Sequence, residues 1–405
     1  MNSMPAVAPA PLIDGRARFF GNKREYWRIL SRDAVQLILT LGLYRFWVAT
    51  DIRRYLWSRT ELAGEQLEYT GDPLELLVGF LVFLAILGPL WAIVSVLTLS
   101  TGVFSLAILS AYLPIVLLVP IAVLALYQAR RYRVNQTIFH GLRFYQSGSA
   151  WLYAIRTALW FVVNVLTFGL SYPWARASLE RYKMRHTFYG DVQGRFEGSG
   201  WALFKRGVIP FLIVCGPLFV LFVKTSAAVA DASEAAVEQE MRRFFIQAGT
   251  WLVVAGLIVY PLFHAMVLRW RVAGMRFGTL SLTSDFSTWS LYKGYLKFFG
   301  LLLLLAIVAS GIVVFVQLKI LPALPLGRSV VIEFLGIVCV VIGYFAVATI
   351  AAFAYQGTVR FDVWRAIVDN LTLHGLDQID RARVHAGHTA HHAGRIGAAL
   401  NVGGF

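Results

Sequence analysis

R-R-Y-L-W-S-R-T-E-L-A-G at residues 53–64 is the stretch of sequence that decides the fold. It reads as the end of a basic, aromatic helix that runs directly into a tight hairpin at a glycine. Four more stretches have the same order of features, and they end at Gly141, Gly190, Gly278 and Gly375. A sixth hairpin-like stretch, around Gly21, lacks the preceding helix. This recurrence predicts a chain built from internal repeats.

The segments between these glycines are too apolar for a soluble domain. Of the 405 residues, 58% are hydrophobic and 15% are charged, and the mean hydropathy is +0.65. About 20 mostly apolar residues are enough to cross the hydrocarbon core of a bilayer as a helix. Residues 74–127, 207–270 and 296–355 each hold two such segments. They predict three pairs of transmembrane helices.

Two weaker segments, at residues 35–50 and 151–170, are each interrupted by an arginine. They share a pattern, because L-T-L-G-L-Y-R-F-W at 39–47 matches L-T-F-G-L-S-Y-P-W at 166–174. A glycine followed by such residues is a natural helix break. If both segments re-enter the membrane, every basic hairpin lies on one side, as the positive-inside rule favours. We therefore predict an all-α polytopic membrane protein with three repeated helix pairs, two Gly/Pro-broken re-entrant or interfacial elements, and short cytoplasmic β-hairpins.

The two ends of the chain differ from the part between them. Residues 1–18 are rich in proline and alanine at their start and have no signal-peptide layout. Residues 376–405 are rich in histidine, glycine and alanine. We predict flexible segments at 1–18 and 376–405, both cytoplasmic, on either side of a repeat-built transmembrane domain at 19–375.

The order of motifs near the N-terminus resembles that of a known family. F-F-G-N-K-R-E-Y-W-R-I-L at 19–30 precedes L-T-L-G-L-Y-R-F-W, R-R-Y-L-W-S-R-T-E-L-A-G and L-E-Y-T-G-D-P-L-E-L-L-V-G. This succession resembles the YjgN family of bacterial inner-membrane proteins over residues 19–375. The second copy departs from the pattern at 166–174 and in R-H-T-F-Y-G at 185–190. The resemblance implies a multi-pass protein of the bacterial inner (plasma) membrane, with no established activity and no functional residues to carry over.

The net charge of +15 comes from basic residues that lie just outside the apolar segments. This distribution is typical of the positive-inside bias, and it argues against a nucleic-acid partner. Lys and Arg in such positions are attracted to an anionic leaflet. The bilayer and its anionic lipids are therefore the predicted partners.

Four arginines lie beside the two glycine breaks: Arg45, Arg53, Arg176 and Arg181. An arginine fork suits phosphate or carboxylate groups, and the N-terminus of a helix after a break adds partial positive charge. These residues predict a site for an anionic lipid headgroup or an anionic solute. Contact of each arginine with the leaflet surface is the simpler alternative.

Two polar residues within the apolar segments are further candidates. Glu333 is a carboxylate inside such a segment, where an ionisable residue is a functional candidate by default. Its position near Arg328 also fits an interfacial ion pair. His264 fits either a proton relay or a neutral, packed histidine, since no intramembrane carboxylate lies within one turn of it in the sequence.

The sequence predicts neither a metal site nor a cofactor. Histidines three residues apart in the tail could bind zinc if that segment became helical, whereas a flexible tail is the alternative. They are His385, His388, His391 and His392. The chain contains no H-E-x-x-H, G-x-S-x-G or P-loop motif, so no enzymatic activity and no catalytic residue is predicted.

Two functions fit these observations. The first is transport or binding of a small solute or lipid by a non-enzymatic inner-membrane protein, because repeated helices with breaks recur in transporters. The second is a membrane scaffold whose cytoplasmic hairpins bind a protein partner or anionic lipid headgroups. Exposed hairpin edges would suit the addition of a peptide strand.

Overall fold

The computed structural model describes residues 15–376, apart from 102–103, 231, 316–317 and 319–329. Pairs of helices alternate in it with pairs of short strands. The helices are α1 (Lys23–Leu39), α2 (Arg45–Ser58), α3 (Pro73–Thr101), α4 (Phe104–Asn135), α5 (Ala150–Leu166), α6 (Tyr172–Arg185), α7 (Gly200–Val229), α8 (Glu234–Gly274), α9 (Thr288–Phe315), α10 (Val330–Tyr355) and α11 (Phe361–Asp369). One turn of π-helix, Gln356–Arg360, joins α10 to α11.

The strands belong to one antiparallel sheet with the order β3-β2-β1-β11-β10-β9-β8-β7-β6-β5-β4. They are β1 (Gly15–Phe19), β2 (Thr60–Leu62), β3 (Glu65–Gln66), β4 (Glu68–Tyr69), β5 (Thr137–Phe139), β6 (Leu142–Gln146), β7 (Thr187–Tyr189), β8 (Val192–Phe196), β9 (Met275–Phe277), β10 (Leu280–Ser284) and β11 (Leu371–His374). The two end strands, β3 and β4, are separated only by Leu67, whose N–H donates to the carbonyl of Thr60 at 3.0 Å. The sheet is therefore a nearly closed barrel.

This barrel corrects the prediction of an all-α protein with separate short hairpins, which is wrong. A lone two-stranded hairpin is at best marginally stable in water and leaves its edges unpaired. Here each hairpin pairs with the next, and β1 and β11, from opposite ends of the chain, pair with each other within the sheet. Gly15 lies opposite Leu373, and Arg16 lies opposite Thr372. Local sequence patterns show the hairpins but not these distant pairings.

The barrel is filled by side chains. Alternate residues of the strands point inward, as the period of a β-strand requires. The buried members of this core include Ala17, Phe19, Tyr69, Phe139, Tyr189, Leu280 and Leu373. The interior of the barrel is therefore a packed core. The larger cavities are lined mainly by residues of the helices.

A repeated hydrogen bond fixes the second helix of a pair against the start of the first. An aromatic side chain near the end of the second helix donates to the carbonyl of the residue that precedes the first helix. The four bonds are Tyr55 to Asn22 at 2.9 Å, Tyr132 to Asp72 at 3.2 Å, Tyr182 to Ser149 at 2.8 Å and Trp270 to Ser199 at 3.0 Å. Because the aromatic residue lies five positions before the next strand, the bond also sets where that strand begins.

The two glycine breaks form the same turn. Gly42 and Gly169 have φ angles of 94° and 85°, in the region that favours glycine. The N–H of Gly42 donates to Leu37 at 2.8 Å, and that of Gly169 donates to Asn164 at 2.7 Å. Helices α1 and α5 each have 17 residues, or about 25 Å, which is less than the ~30 Å of a hydrocarbon core. Each break thus joins two short helices into a hairpin.

Four helices in the described part of the chain are long and apolar enough to cross a membrane. They are Gly200–Val229, Glu234–Gly274, Thr288–Ile312 and Val341–Asp369. Only 6% of the most apolar part of the first and third is buried inside the protein. These helices correspond to the predicted pairs at 207–270 and 296–355, and they are compatible with insertion into a membrane. The predicted pair at 74–127 forms α3 and α4.

The predicted boundary between 18 and 19 falls within β1, which begins at Gly15. Residues 1–14 and the tail, with His385, His388, His391 and His392, lie outside the described residues.

Because the sheet is antiparallel throughout, all hairpin tips lie at one end of the barrel. Single cysteines at Glu65, Arg143, Asp191 and Thr279, introduced without Cys215 and Cys339, should therefore share one accessibility to a membrane-impermeant thiol reagent. A cysteine at Ser233, between α7 and α8, should show the opposite accessibility in intact cells. Labelling of the tips from both sides would contradict the barrel.

Replacement of Tyr182 by phenylalanine tests the repeated hydrogen bond. The ring stays, but the carbonyl of Ser149 keeps only the N–H of Tyr153 as a donor, so we expect a loss of about 1 kcal/mol in the free energy of unfolding. Thermal unfolding in detergent measures the loss. Tyr44→Phe is the control, because the hydroxyl of Tyr44 makes no hydrogen bond with the described residues. Equal melting temperatures for the two variants would show that the bond contributes nothing.

Candidate functional site

The ends of the second helices present charged side chains to the centre of the ring. In α4, α6 and α8, the residues seven and four positions before the next strand lie on one helical face. These positions hold Arg130 and Arg133, Glu180 and Lys183, and Leu268 and Arg271. The same positions before β11 hold Trp364 and Ile367. All of these residues line the space at the centre.

That space consists of two adjoining cavities, which we call the basic chamber. One has a volume of about 420 Å³ and is lined by residues that include Arg130, Arg133, Glu180 and Lys183. The other has a volume of about 490 Å³ and is lined by residues that include His264 and Arg360. Arg176, Arg271 and Trp364 line both cavities, so they mark the junction.

Positive charge dominates the chamber. Its lining contains six cationic side chains, namely Arg130, Arg133, Arg176, Lys183, Arg271 and Arg360. Glu180 is the one carboxylate among the described lining residues, so the formal excess is five positive charges. Such an excess in a partly enclosed space attracts anions, because low-dielectric walls concentrate the field.

Glu180 binds two of the cations directly. Its Oε1 lies 2.6 Å from Nζ of Lys183 and 3.0 Å from a guanidinium nitrogen of Arg271, and its side chain is only 3% exposed. Two other buried N–H donors near this cluster lack an acceptor in the described part of the chain. Nε of Arg271 and Nε2 of Gln146 are buried and have no hydrogen-bond partner among the described residues. Since buried donors are normally satisfied, the Nε–H group of Arg271, which lines both cavities, favours a bound acceptor, whereas Gln146 lines neither cavity.

The pKa values on α6 reflect this environment. Burial by itself raises the pKa of Glu180, but Lys183 and Arg271 lower it to about 2. Burial also lowers the pKa of Lys183, and although Glu180 opposes that change, Arg271 and Arg130 strengthen it, so that the pKa falls to about 7. An acid and a base with lowered pKa values side by side indicate positive charge that the protein itself does not neutralise.

Two of the four predicted arginines belong to this region. Arg176 lines both cavities, and its Nε donates to the hydroxyl of Tyr172 at 2.7 Å. Arg53 is buried, donates to the hydroxyl of Tyr69 at 3.3 Å, and lies close enough to Arg133 and Arg360 for their charges to interact.

The other predicted site residues do not cluster with one another. Arg45 stacks on the rings of Phe46 and Phe80 and does not line the chamber. Arg181 is exposed on α6. His264 lines the chamber, with its Nδ1 3.0 Å from the hydroxyl of Tyr295. Glu333 lies on α10, in a stretch whose side chains are outside the described ones.

Sequence reasoning missed most of the chamber. Arg130, Arg133, Glu180, Lys183 and Arg271 look like ordinary basic helix ends when they are read one at a time. An alignment on the first residue of each following strand would have found them, because it places them all at two inward positions three residues apart.

A family model described as "Bacterial protein of unknown function (DUF898)" matches residues 14–260. No curated protein and no solved structure matches the chain.

Replacement of Glu180 by glutamine should destabilise the protein by about 3–5 kcal/mol, because Lys183 and Arg271 then lose their buried partner. The pKa of Glu180 is lower in the folded protein than its usual value of 4.5. Its contribution is therefore present above pH 4.5 and is lost as the pH falls toward 2. Thermal unfolding at pH 7, 4.5 and 3 should show a smaller pH dependence in the variant.

The control for this experiment is Glu240→Gln, which removes a more exposed ion pair with Arg243 on α8. Such surface pairs contribute about 0–1 kcal/mol. Equal losses for Glu180→Gln and Glu240→Gln at pH 7 would contradict a buried network around Glu180.

Proposed function

We propose that this membrane protein, which belongs to the DUF898 family, binds an anionic ligand in the basic chamber and either moves it or holds it. DUF898 is the YjgN family that its motifs resemble. The ligand carries a phosphate or carboxylate group. Binding needs no chemical step, so the proposed role is non-enzymatic.

The observation that carries the proposal is the excess of cationic over acidic side chains among the described residues that line the chamber. Six cations around one carboxylate are costly to bury, since each charge loses hydration. An anion in the chamber would offset that cost and would satisfy the Nε–H group of Arg271, which has no hydrogen-bond partner among the described residues. Arginine forks give directional hydrogen bonds to phosphate and carboxylate oxygens, which makes these groups the natural ligands.

The proposed location is the bacterial inner membrane, with the barrel and both termini in the cytoplasm. Support comes from the apolar helices, which are compatible with membrane insertion, and from the basic residues at the helix ends that join these helices to the barrel. The recurring order of two helices and a strand pair also supports the internal repeat that the sequence predicts.

The scaffold hypothesis loses its main argument. It depended on open hairpin edges that could accept a peptide strand. In the described residues the hairpins pair with one another around the barrel, and the sheet ends meet at Leu67. Strand addition is therefore not favoured.

Inorganic phosphate tests the proposal directly. A ligand that binds only the folded state stabilises it by about 2.7 kcal/mol at 100 times its dissociation constant. We expect the melting temperature of the purified protein to rise with phosphate but not with chloride at equal ionic strength. Arg271→Gln should abolish the increase. Arg181→Gln is the matched control, because it removes the same charge from the exposed face of α6.

Equal responses of these two variants to phosphate would show that the effect is general screening rather than binding in the chamber. Uptake of labelled phosphate into proteoliposomes then separates transport from binding. Uptake that is absent, together with an unchanged melting temperature, would overturn the proposal.

A further inference from the structure

An apolar groove lies beside the basic chamber, between the α5–α6 hairpin and the helices α7 and α8. Its volume is about 680 Å³. It is lined by apolar side chains such as Phe161, Phe204, Phe211 and Val259. The amide of Asn164, which also lines it, is already bonded to Ser171 and to the carbonyl of Trp160. The groove therefore offers apolar surface and few free polar groups.

The groove and the chamber meet at two tyrosines. Tyr260 lines both the groove and the chamber. Tyr172 lines the groove, and its hydroxyl accepts the hydrogen bond from Arg176, which lines the chamber. A molecule in the groove can therefore place one end within reach of Arg176 and Arg271 without crossing a layer of packed helices.

The groove opens on the surface that would face lipid. Phe161, which lines it, is 65% exposed, and Ile209 and Leu257 next to it are also exposed. Along α7 the lining extends from Phe204 to Cys215, a rise of about 16 Å. This surface belongs to two of the helices that could cross a membrane. An apolar chain can thus enter from the bilayer itself.

We propose that the anionic ligand is a lipid, whose hydrocarbon chain lies in this groove and whose phosphate-bearing headgroup reaches Arg176 and Arg271 in the chamber. This inference rests on the proposed function and narrows its ligand class. Charge complementarity selects an anionic lipid over a zwitterionic one, and the apolar groove selects a lipid over a free phosphate.

A pair of glycines on α8 gives a matched test. Gly256 lines the groove, and a Cβ added there meets no heavy atom within 4 Å, so the backbone position accepts a side chain, and we expect leucine to occupy part of the groove. Gly249 lies two turns earlier on the same helix, has equally open surroundings, and does not line the groove. Gly256→Leu and Gly249→Leu therefore change the helix in the same way and differ only at the groove.

Native mass spectrometry of the delipidated protein, titrated with phosphatidylglycerol or phosphatidylcholine, measures the binding. We expect phosphatidylglycerol to bind more tightly than phosphatidylcholine. Gly256→Leu should weaken phosphatidylglycerol binding by at least about tenfold, as expected when a buried anchor is displaced, and Gly249→Leu should not. Arg176→Gln should remove the preference for phosphatidylglycerol, and Arg181→Gln should keep it.

Stabilisation by inorganic phosphate separates the two proposals. If Gly256→Leu weakens phosphatidylglycerol binding but leaves the response to phosphate intact, the groove holds the chain. If phosphate stabilises the protein but Gly256→Leu and Gly249→Leu bind phosphatidylglycerol equally, the lipid inference is overturned and the chamber remains a site for a soluble anion. If neither phosphate nor phosphatidylglycerol binds, both proposals fail.

Discussion

The hydrogen bond from an aromatic side chain to the carbonyl before the preceding helix is the contact on which the rest of the structure depends. It recurs at Tyr55, Tyr132, Tyr182 and Trp270. A long helix pair has many ways to slide, and apolar packing along a lipid-facing surface does little to choose among them. A buried donor that must find its acceptor selects one register. Each of these four helix pairs then places the start of its following strand at the same level, which helps eleven short strands to form one sheet.

The closed ring explains why the charges converge. Once the strand starts are level, the residues four and seven positions earlier face the central space in α4, α6, α8 and the segment before β11, whatever their chemistry. In α4 and α8 those positions are mostly basic, and in α6 they hold Glu180 beside Lys183. The barrel core below is packed with aromatic and aliphatic side chains. The partners that its strands offer, Gln146 and Thr187 to Arg130 and Tyr69 to Arg53, are all neutral. The positive field thus follows from the symmetry of the ring and from the basic helix ends together.

The sequence predicts the local parts of this design well. The hairpin glycines, the helix pairs and the matched turns at Gly42 and Gly169 all follow from short patterns, since each depends on neighbouring residues. The barrel could not be predicted in the same way, because β1 and β11 pair across the whole chain. The residues of the candidate site also fall into a group that local sequence patterns predict and a group that they do not. Arg53 and Arg176 lie close to the glycine breaks that are visible in the sequence. Arg130 and Arg271 can be recognised as site residues only when the folded ring brings them together.

Glu180 shows how such a chamber can exist without its ligand. Six cations with no counter-charge would repel one another in a space where water screens poorly, and the folded state would be disfavoured. Six cations fully paired with carboxylates would be stable but would attract nothing. One buried carboxylate, bonded to Lys183 and Arg271, holds the centre of the cluster together and leaves the arginines around it with excess charge. The lowered pKa of both Glu180 and Lys183 indicates this intermediate state. A chamber balanced in this way stays folded when empty and, under the function proposed here, would gain free energy when an anion enters.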